Sequence, residues 1–410
     1  MPTVEVPRGK FAILSHVLPP SPSGQAAVLS RLLEGQDPSS YCLIKSGQGQ
    51  VDIVLQGTGS KLDQVLSAAG DSPSPSTKKP SPFRRLLAIL VSRLPLSLWR
   101  ISVESRRIAS ILRSEGCEAM VACTGRLEDI PSSYLASRAV RIPFIAYYFD
   151  WYGYQWPTRP ARALALWFES MMIENSSAVV VPNEALRDAL EKRYGVRAVV
   201  IYNPCDERAL AVPPVLEWPI GQDEVRIVYT GAVYHAHYDA FRNLATALRD
   251  PLLSRARLHI YSSQPPAVLD SQGIEGPVAF HPHLVLDDML AVQRRADILF
   301  LPLAFESTID EVIRTSAPGK LGEYLASGRP ILVHAPPDSF VSQYFRMHRC
   351  GVVVDTNSPG DLADGIRWIM EDQEMRRSIV RNAVERARQD FSPRKAREMF
   401  EQVLQGADQG

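Results

Sequence analysis

Lys320 and Glu323 stand three residues apart in T-S-A-P-G-K-L-G-E-Y-L-A-S-G-R-P-I-L-V-H-A, Thr315 to Ala335. The local grammar predicts a short helix from about Pro318 to Ser327. Ser316 or Ala317 suits the cap, Pro318 suits the first turn because its missing N–H would be unpaired anyway, and Gly328 suits the left-handed C-terminal position. Leu321, Tyr324 and Leu325 fall at i, i+3, i+4 and face a core, which leaves Lys320 and Glu323 on a different side. There the pair is either plain surface, worth a few tenths of a kcal/mol, or a site. As a site, the ammonium and the free N–H groups of a helix start attract phosphate oxygens. The carboxylate one turn on accepts hydrogen bonds from a diol, each worth about 1.5–3 kcal/mol.

Three other places carry residues of the same kind. Ser23 and Gly24 sit in P-P-S-P-S-G, after an apolar run Phe11 to His16, where absence of a side chain lets backbone approach a ligand. Gly231, in Y-T-G-A-V-Y-H-A-H, follows another apolar run and precedes His235 and His237. Two histidines at i, i+2 without a third ligand make a poor metal site, and no metal is expected. The densest aromatic run, Tyr147 to Trp156, follows Ile142 to Ala146. Loops beyond the carboxyl ends of strands face the ligand crevice of an open α/β sheet, so Tyr148, Asp150, Trp151 and Tyr154 are candidates for holding a ligand. The alternative is that these rings are core packing.

The elements that must position these residues alternate. Short apolar runs at Phe11, Val51, Ala119, Ile142, Ser177 and Ala198 are separated by helical patterns, and a second set follows in V-R-I-V-Y-T-G, R-L-H-I-Y-S, D-I-L-F-L-P-L, P-I-L-V-H-A and G-V-V-V-D. That is the signature of mainly parallel sheets covered on both faces. Asn203 to Asp223, rich in proline and acid, reads as the linker between two Rossmann-like halves. The expected division is residues 1–210, 211–388, and a final helix at 389–410 whose apolar stripe Ala396, Met399, Phe400, Val403 and Leu404 needs a partner surface.

Composition narrows the class. Lys+Arg and Asp+Glu are both 45, so nothing draws the chain to nucleic acid. Its 5 cysteines are scattered without metal-ligand spacing and read as reduced cytoplasmic thiols. No apolar signal segment stands at the start and no run approaches the roughly 20 residues that span a bilayer. One segment stands apart. After the proline-rich Asp71–Pro82, residues 78–107 carry Lys78, Lys79, Arg84, Arg85, Arg93, Arg100, Arg106 and Arg107 against the single acid Glu104, interleaved with Leu, Ile, Phe83 and Trp99. Such a pattern suits an anionic membrane surface, at about 1 kcal/mol per cation, or a core helix with a solvated basic face. Pro95 is expected to break or kink it.

P-G-K-L-G-E-Y-L-A-S-G-R-P-I-L resembles the nucleotide-sugar signature of GT-B-fold glycosyltransferases, most closely the retaining family 4 type. S-A-V-V-V-P-N-E-A-L-R-D-A-L-E-K-R-Y-G with V-V-I-Y-N-P-C-D resembles the end of that family's first domain, I-V-Y-T-G-A-V-Y the start of its second, and P-P-S-P-S-G-Q its N-terminal glycine loop, so the resemblance spans nearly the whole chain. It implies two Rossmann-like domains across a cleft, with the last helix crossing back to the first. It implies transfer of a sugar from a nucleoside diphosphate, with Ser23, Gly24, Gly231, His235, Thr315, Ser316, Pro318, Gly319, Lys320 and Glu323 on the donor. It implies Asp150, His16 and Lys320 as the catalytic residues, and no metal or other cofactor. One position departs: where the family often has a second glutamate, eight residues before Glu323, this chain has Thr315. With the basic segment, a lipid-linked or cell-envelope polysaccharide acceptor and a peripheral place on the inner membrane face follow as expectations. The rivals are a sugar-nucleotide epimerase or hydrolase of the same architecture and a non-catalytic, membrane-docked sugar-nucleotide-binding protein.

Overall fold

The computed structural model describes residues 9–21, 23–47, 51–55, 82–211, 218 and 223–407. The expected proline-rich loop with Lys78 and Lys79, and the middle of the expected linker, lie outside the described residues.

The first half is a seven-stranded sheet in the order β3-β2-β1-β4-β5-β6-β7. Its strands are β1 (Lys10–Ser15), β2 (Tyr41–Ser46), β3 (Val51–Leu55), β4 (Cys117–Cys123), β5 (Phe144–Tyr147), β6 (Ala178–Val181) and β7 (Val199–Val200). All neighbours are parallel except β2 and β3, which pair antiparallel. Too few residues join Ser46 to Val51 for a crossover helix, so the chain can only turn back on itself. The second half is an all-parallel six-stranded sheet in the order β10-β9-β8-β11-β12-β13. These are β8 (Val225–Thr230), β9 (Ala256–Tyr261), β10 (Val278–His281), β11 (Ile298–Pro302), β12 (Ile331–His334) and β13 (Val352–Val354). β10, V-A-F-H, carries too short an apolar signal to be picked out from sequence. β11 and β12 are buried along their whole lengths, as strands covered on both faces must be.

The chain passes between the halves twice, and the two passages are joined. Cys205 N–H donates to the Phe391 carbonyl at 2.9 Å. Where a linker is expected, the helix Glu207–Ala211 forms. Gly322 permits that approach: a Cβ there would lie 2.8 Å from Cys205 Cβ. The final helix, Pro393–Ala407, returns to the first half, where Phe400 packs edge-on against Phe11 and Tyr147 beside Ala396 and Val403. Burying one such phenylalanine stabilises by about 1.5–3 kcal/mol.

The basic segment belongs to one long helix, Pro82–Ser114, which runs on through Pro95. The expected break does not occur, because a proline removes one backbone bond while the turns on either side supply the rest. Among the described residues no helix is long and apolar enough to cross a membrane.

Candidate functional site

Both sheets point their carboxyl ends into the cleft, and the loops there come from residues that cannot extend a strand. After β1, Ser23 caps the helix Gly24–Leu33 by accepting from Ala26 N–H at 3.3 Å. Opposite it lies the Pro318–Lys320 turn, closed by Leu321 N–H on the Pro318 carbonyl at 2.9 Å. The backbones of Gly24 and Gly319 face each other: a Cβ on Gly319 would lie 3.6 Å from Gly24 Cα. The helix after this turn is shorter than expected, Leu321–Ala326, and Lys320 rather than Ser316 or Ala317 is its cap residue. Pro318 and Gly319 thus belong to the turn.

The Lys320 ammonium stands 3.7 Å above the centre of the Tyr229 ring. It has no ion-pair partner among the described residues, and burial pushes it down to about 7 from the ordinary lysine value. Gly231 forms the wall beside it with φ 118°, and a Cβ there would lie 3.2 Å from Nζ. His237 is buried at the start of the helix Tyr238–Ala247, against Tyr229 and Tyr234, with Nδ1 lacking a partner among the described residues. Burial, then Lys320 and His235, hold its imidazole well below its usual range. His235 itself is exposed and packs edge-on against Tyr234, so of the two histidines it is His237 that adjoins Lys320.

Glu323 is buried, with one oxygen bonded to Arg31 of the first half at 2.6 Å and Oε2 without a partner among the described residues. Burial raises its carboxyl, against the pull of Arg31. The preceding loop is tied to the first half by two asparagines: Asn183 Nδ2 donates to the Thr315 carbonyl at 2.8 Å and Asn203 Nδ2 to the Ala317 carbonyl at 3.1 Å. Thr315 is buried and its hydroxyl donates to the Glu311 carbonyl at 2.8 Å, so it does not project into the cleft. Ser316, part-buried, extends the loop beyond it.

The aromatic run after β5 corrects the expectation drawn from it. Tyr148 is wholly buried in the core, and Trp151 is nearly so, donating from Nε1 to Glu169 Oε2 at 3.1 Å. Buried Glu169 also accepts from Tyr194 Oη at 2.6 Å and Gly153 N–H at 3.1 Å, and thereby organises the loop from inside. Tyr154 lies between Arg162 and Arg193 and accepts from Arg193 Nη1. The cost of exposing so much apolar surface turns Tyr148 and Trp151 inward, while Tyr154 stays part-exposed between its two arginines. Asp150 is the exception. It is part-buried, takes no hydrogen bond or ion pair from the described residues, and lies near enough to Tyr234 of the second half for its charge, after burial, to help raise that phenol to about 12. Burial also raises the Asp150 carboxyl.

His16 stands just after the end of β1. Its Nδ1 has no partner among the described residues and crowds the loop after β4, where a Cβ on Gly125 would lie 2.2 Å from it. Arg126 and buried Asp129 brace that loop, Arg126 N–H donating to Asp129 Oδ2 at 2.8 Å, and burial pushes Asp129 up to about 7. Burial and then Arg126 lower the His16 imidazole. Arg31, Asn183, Asn203 and Arg126 are not singled out by sequence reasoning. Only Arg31 carries a usable signal, standing seven positions after Gly24 and so on the same helix face.

Two family models match, side by side: glycosyltransferase family 4 over residues 64–208 and glycosyl transferases group 1 over residues 224–372. Among solved structures, the chain is similar to Anabaena HepE in complex with UDP-glucose, at 14% identity and TM-score 0.65, covering 97% of this chain and 99% of that one. It is similar to sucrose-phosphate synthase from Thermosynechococcus elongatus at 15% identity and TM-score 0.65, covering 97% and 98%. A glycosyltransferase from Rickettsia africae gives 14%, 0.63, 97% and 98%. At such identities the likeness is one of fold. No curated protein matches the chain by sequence.

Proposed function

The chain belongs to the GT-B glycosyltransferases of the family 4 type, and from that premise we propose that it moves a sugar, with retention, from a nucleoside diphosphate held by its second half to an acceptor held by its first. The observation that carries this reading is Lys320, a partly buried cation without a counter-charge among the described residues, which follows Gly319 in the turn facing Gly24 and lies beside Gly231. A buried charge is retained only where something offsets its desolvation, and a diphosphate supplies the missing anion. Lys320 then stabilises negative charge as it builds on the leaving diphosphate, the electrostatic term expected to dominate. The helix Gly24–Leu33 presents its free N–H groups from the other side. No metal cofactor is invoked. The unpartnered Oε2 of Glu323 accepts from a ribose hydroxyl, and Asp150 and His16 face the sugar and the acceptor hydroxyl. UDP is the first nucleotide to try, since HepE is seen with UDP-glucose.

A thermal-shift screen of UDP, GDP, ADP and dTDP tests the donor reading. One nucleotide at 100 times its dissociation constant should stabilise the wild type by about 2.7 kcal/mol, and the increment should shrink in Glu323→Ala. The ligand-induced increment is the proper readout, because that variant also leaves Arg31 uncompensated. Stabilisation by none of the four would overturn the reading.

We further propose a lipid-linked acceptor of polysaccharide assembly. Leu96, Leu98 and Trp99, the last 62% exposed, stand beside Arg100 and exposed Arg106 on the long helix, a combination of apolar and cationic side chains that suits an anionic bilayer. Co-sedimentation should show binding to phosphatidylglycerol vesicles over phosphatidylcholine ones, weakened about fivefold by Arg106→Gln and further by Trp99→Ala. Equal recovery with both vesicle types would point to a soluble acceptor.

A further inference from the structure

Arg31 ties three parts of the molecule together. Its Nη2 meets Glu323 Oε1 at 2.6 Å and its Nη1 donates to the Pro204 carbonyl, in the passage between the halves, at 2.6 Å. Both side chains are close to fully buried, at 11% and 7% exposure for Arg31 and Glu323. The arginine's own backbone is held by the returning C-terminal helix, where Arg397 Nη1 donates to the Arg31 carbonyl at 3.4 Å and also bonds Glu34 at 2.8 Å. The spacing follows from helix geometry. Gly24 and Arg31 are two turns apart on one helix, Gly319 and Glu323 one turn apart along the other segment. The glycines face each other at the cleft and the charged pair locks the same two elements deeper in.

Only one Glu323 oxygen is bonded to Arg31, and the other is buried with no partner among the described residues. A carboxylate in that state, 6% exposed, has one acceptor to offer and one fixed orientation in which to offer it. A guanidinium held by a second carbonyl is a rigid fork, so it sets that orientation more tightly than a lysine would. We propose that Arg31 is a positioning residue for the donor: it holds Glu323 aimed so that Oε2 reads the ribose hydroxyls, which makes ribose recognition by the second half depend on the first. This rests on the donor site assigned above.

The test compares ribose with deoxyribose. Binding of UDP, GDP and ADP and of their 2′-deoxy counterparts is measured by calorimetry on the wild type, Arg31→Ala, Arg31→Lys, Glu323→Gln and the Arg31→Ala/Glu323→Gln pair, each checked for a folded circular-dichroism spectrum. The wild type should prefer the ribo form of its best nucleotide by about tenfold or more. Glu323→Gln and Arg31→Ala should each lose most of that preference, and the double variant should lose no more than either alone. Arg31→Lys, which can reach the carboxylate or the carbonyl but not hold both, should keep an intermediate preference, and it serves if the alanine variant does not fold. Loss in Glu323→Gln with full preference in the arginine variants would overturn the positioning role while leaving the donor site standing. Full preference in Glu323→Gln, or no binding of any nucleotide, would overturn the donor site itself.

Discussion

Replacing Lys320 with methionine should lower kcat by about 10²–10³-fold, the loss typical when one preorganised group facing developing negative charge is removed. Methionine fills much the same volume over Tyr229, so the change isolates the charge. The folded protein should not suffer: an ammonium that is partly buried without a counter-ion among the described residues costs stability, and the free enzyme should be at least as resistant to urea without it. The charge has a pH signature. In the free protein the ammonium is pushed down to about 7 from 10.5, so between those values the unfolded chain carries a proton that the folded chain does not. Its contribution to folding therefore becomes more favourable as pH rises through that window, and its full penalty is present below about pH 7. A bound diphosphate favours the charged form and draws the proton back. Nucleoside diphosphate binding at pH 8.5 should take up a proton, seen as a buffer-dependent heat in calorimetry, and affinity should fall by up to about tenfold per pH unit above 7. Lys320→Met should abolish both effects. Binding without proton uptake in the wild type would place the diphosphate away from this lysine.

Asp150→Asn should separate chemistry from donor binding. Asp150 lies just beyond the end of β5, near Tyr234 of the second half, without a hydrogen-bond or ion-pair partner among the described residues. Loss of its charge should reduce kcat by about 10²-fold or more, in the range for a group that handles a proton or steadies charge at the reacting centre. Affinity for the nucleoside diphosphate should stay as it is in the wild type. Full activity in Asp150→Asn would remove it from the site and leave His16 as the polar group facing the sugar. Weakened nucleotide binding would instead move it to the donor.

The physical origin of these effects was unevenly visible in the chain. Alternating apolar runs and helical patterns determined two parallel-sheet halves, because a strand buried on both faces must be apolar throughout. Pro318, Gly319, Lys320 and Glu323 determined a helix start with a cation and, one turn on, a carboxylate, since their relations are local; the structure begins that helix only at Leu321 and makes Pro318–Lys320 a turn. The apolar stripe of the last helix determined that it needs a surface. Tertiary structure alone decided which surface, Phe11 and Tyr147 of the first half. It also decided that Arg31 meets Glu323, that two asparagines hold the Thr315–Ala317 loop, and that Trp151 turns inward upon Glu169 while Asp150 does not. Spacing along a chain reports which side chains share a face of one element. Which faces then meet depends on burial and pairing between residues far apart in sequence, and a single sequence carries no local trace of that.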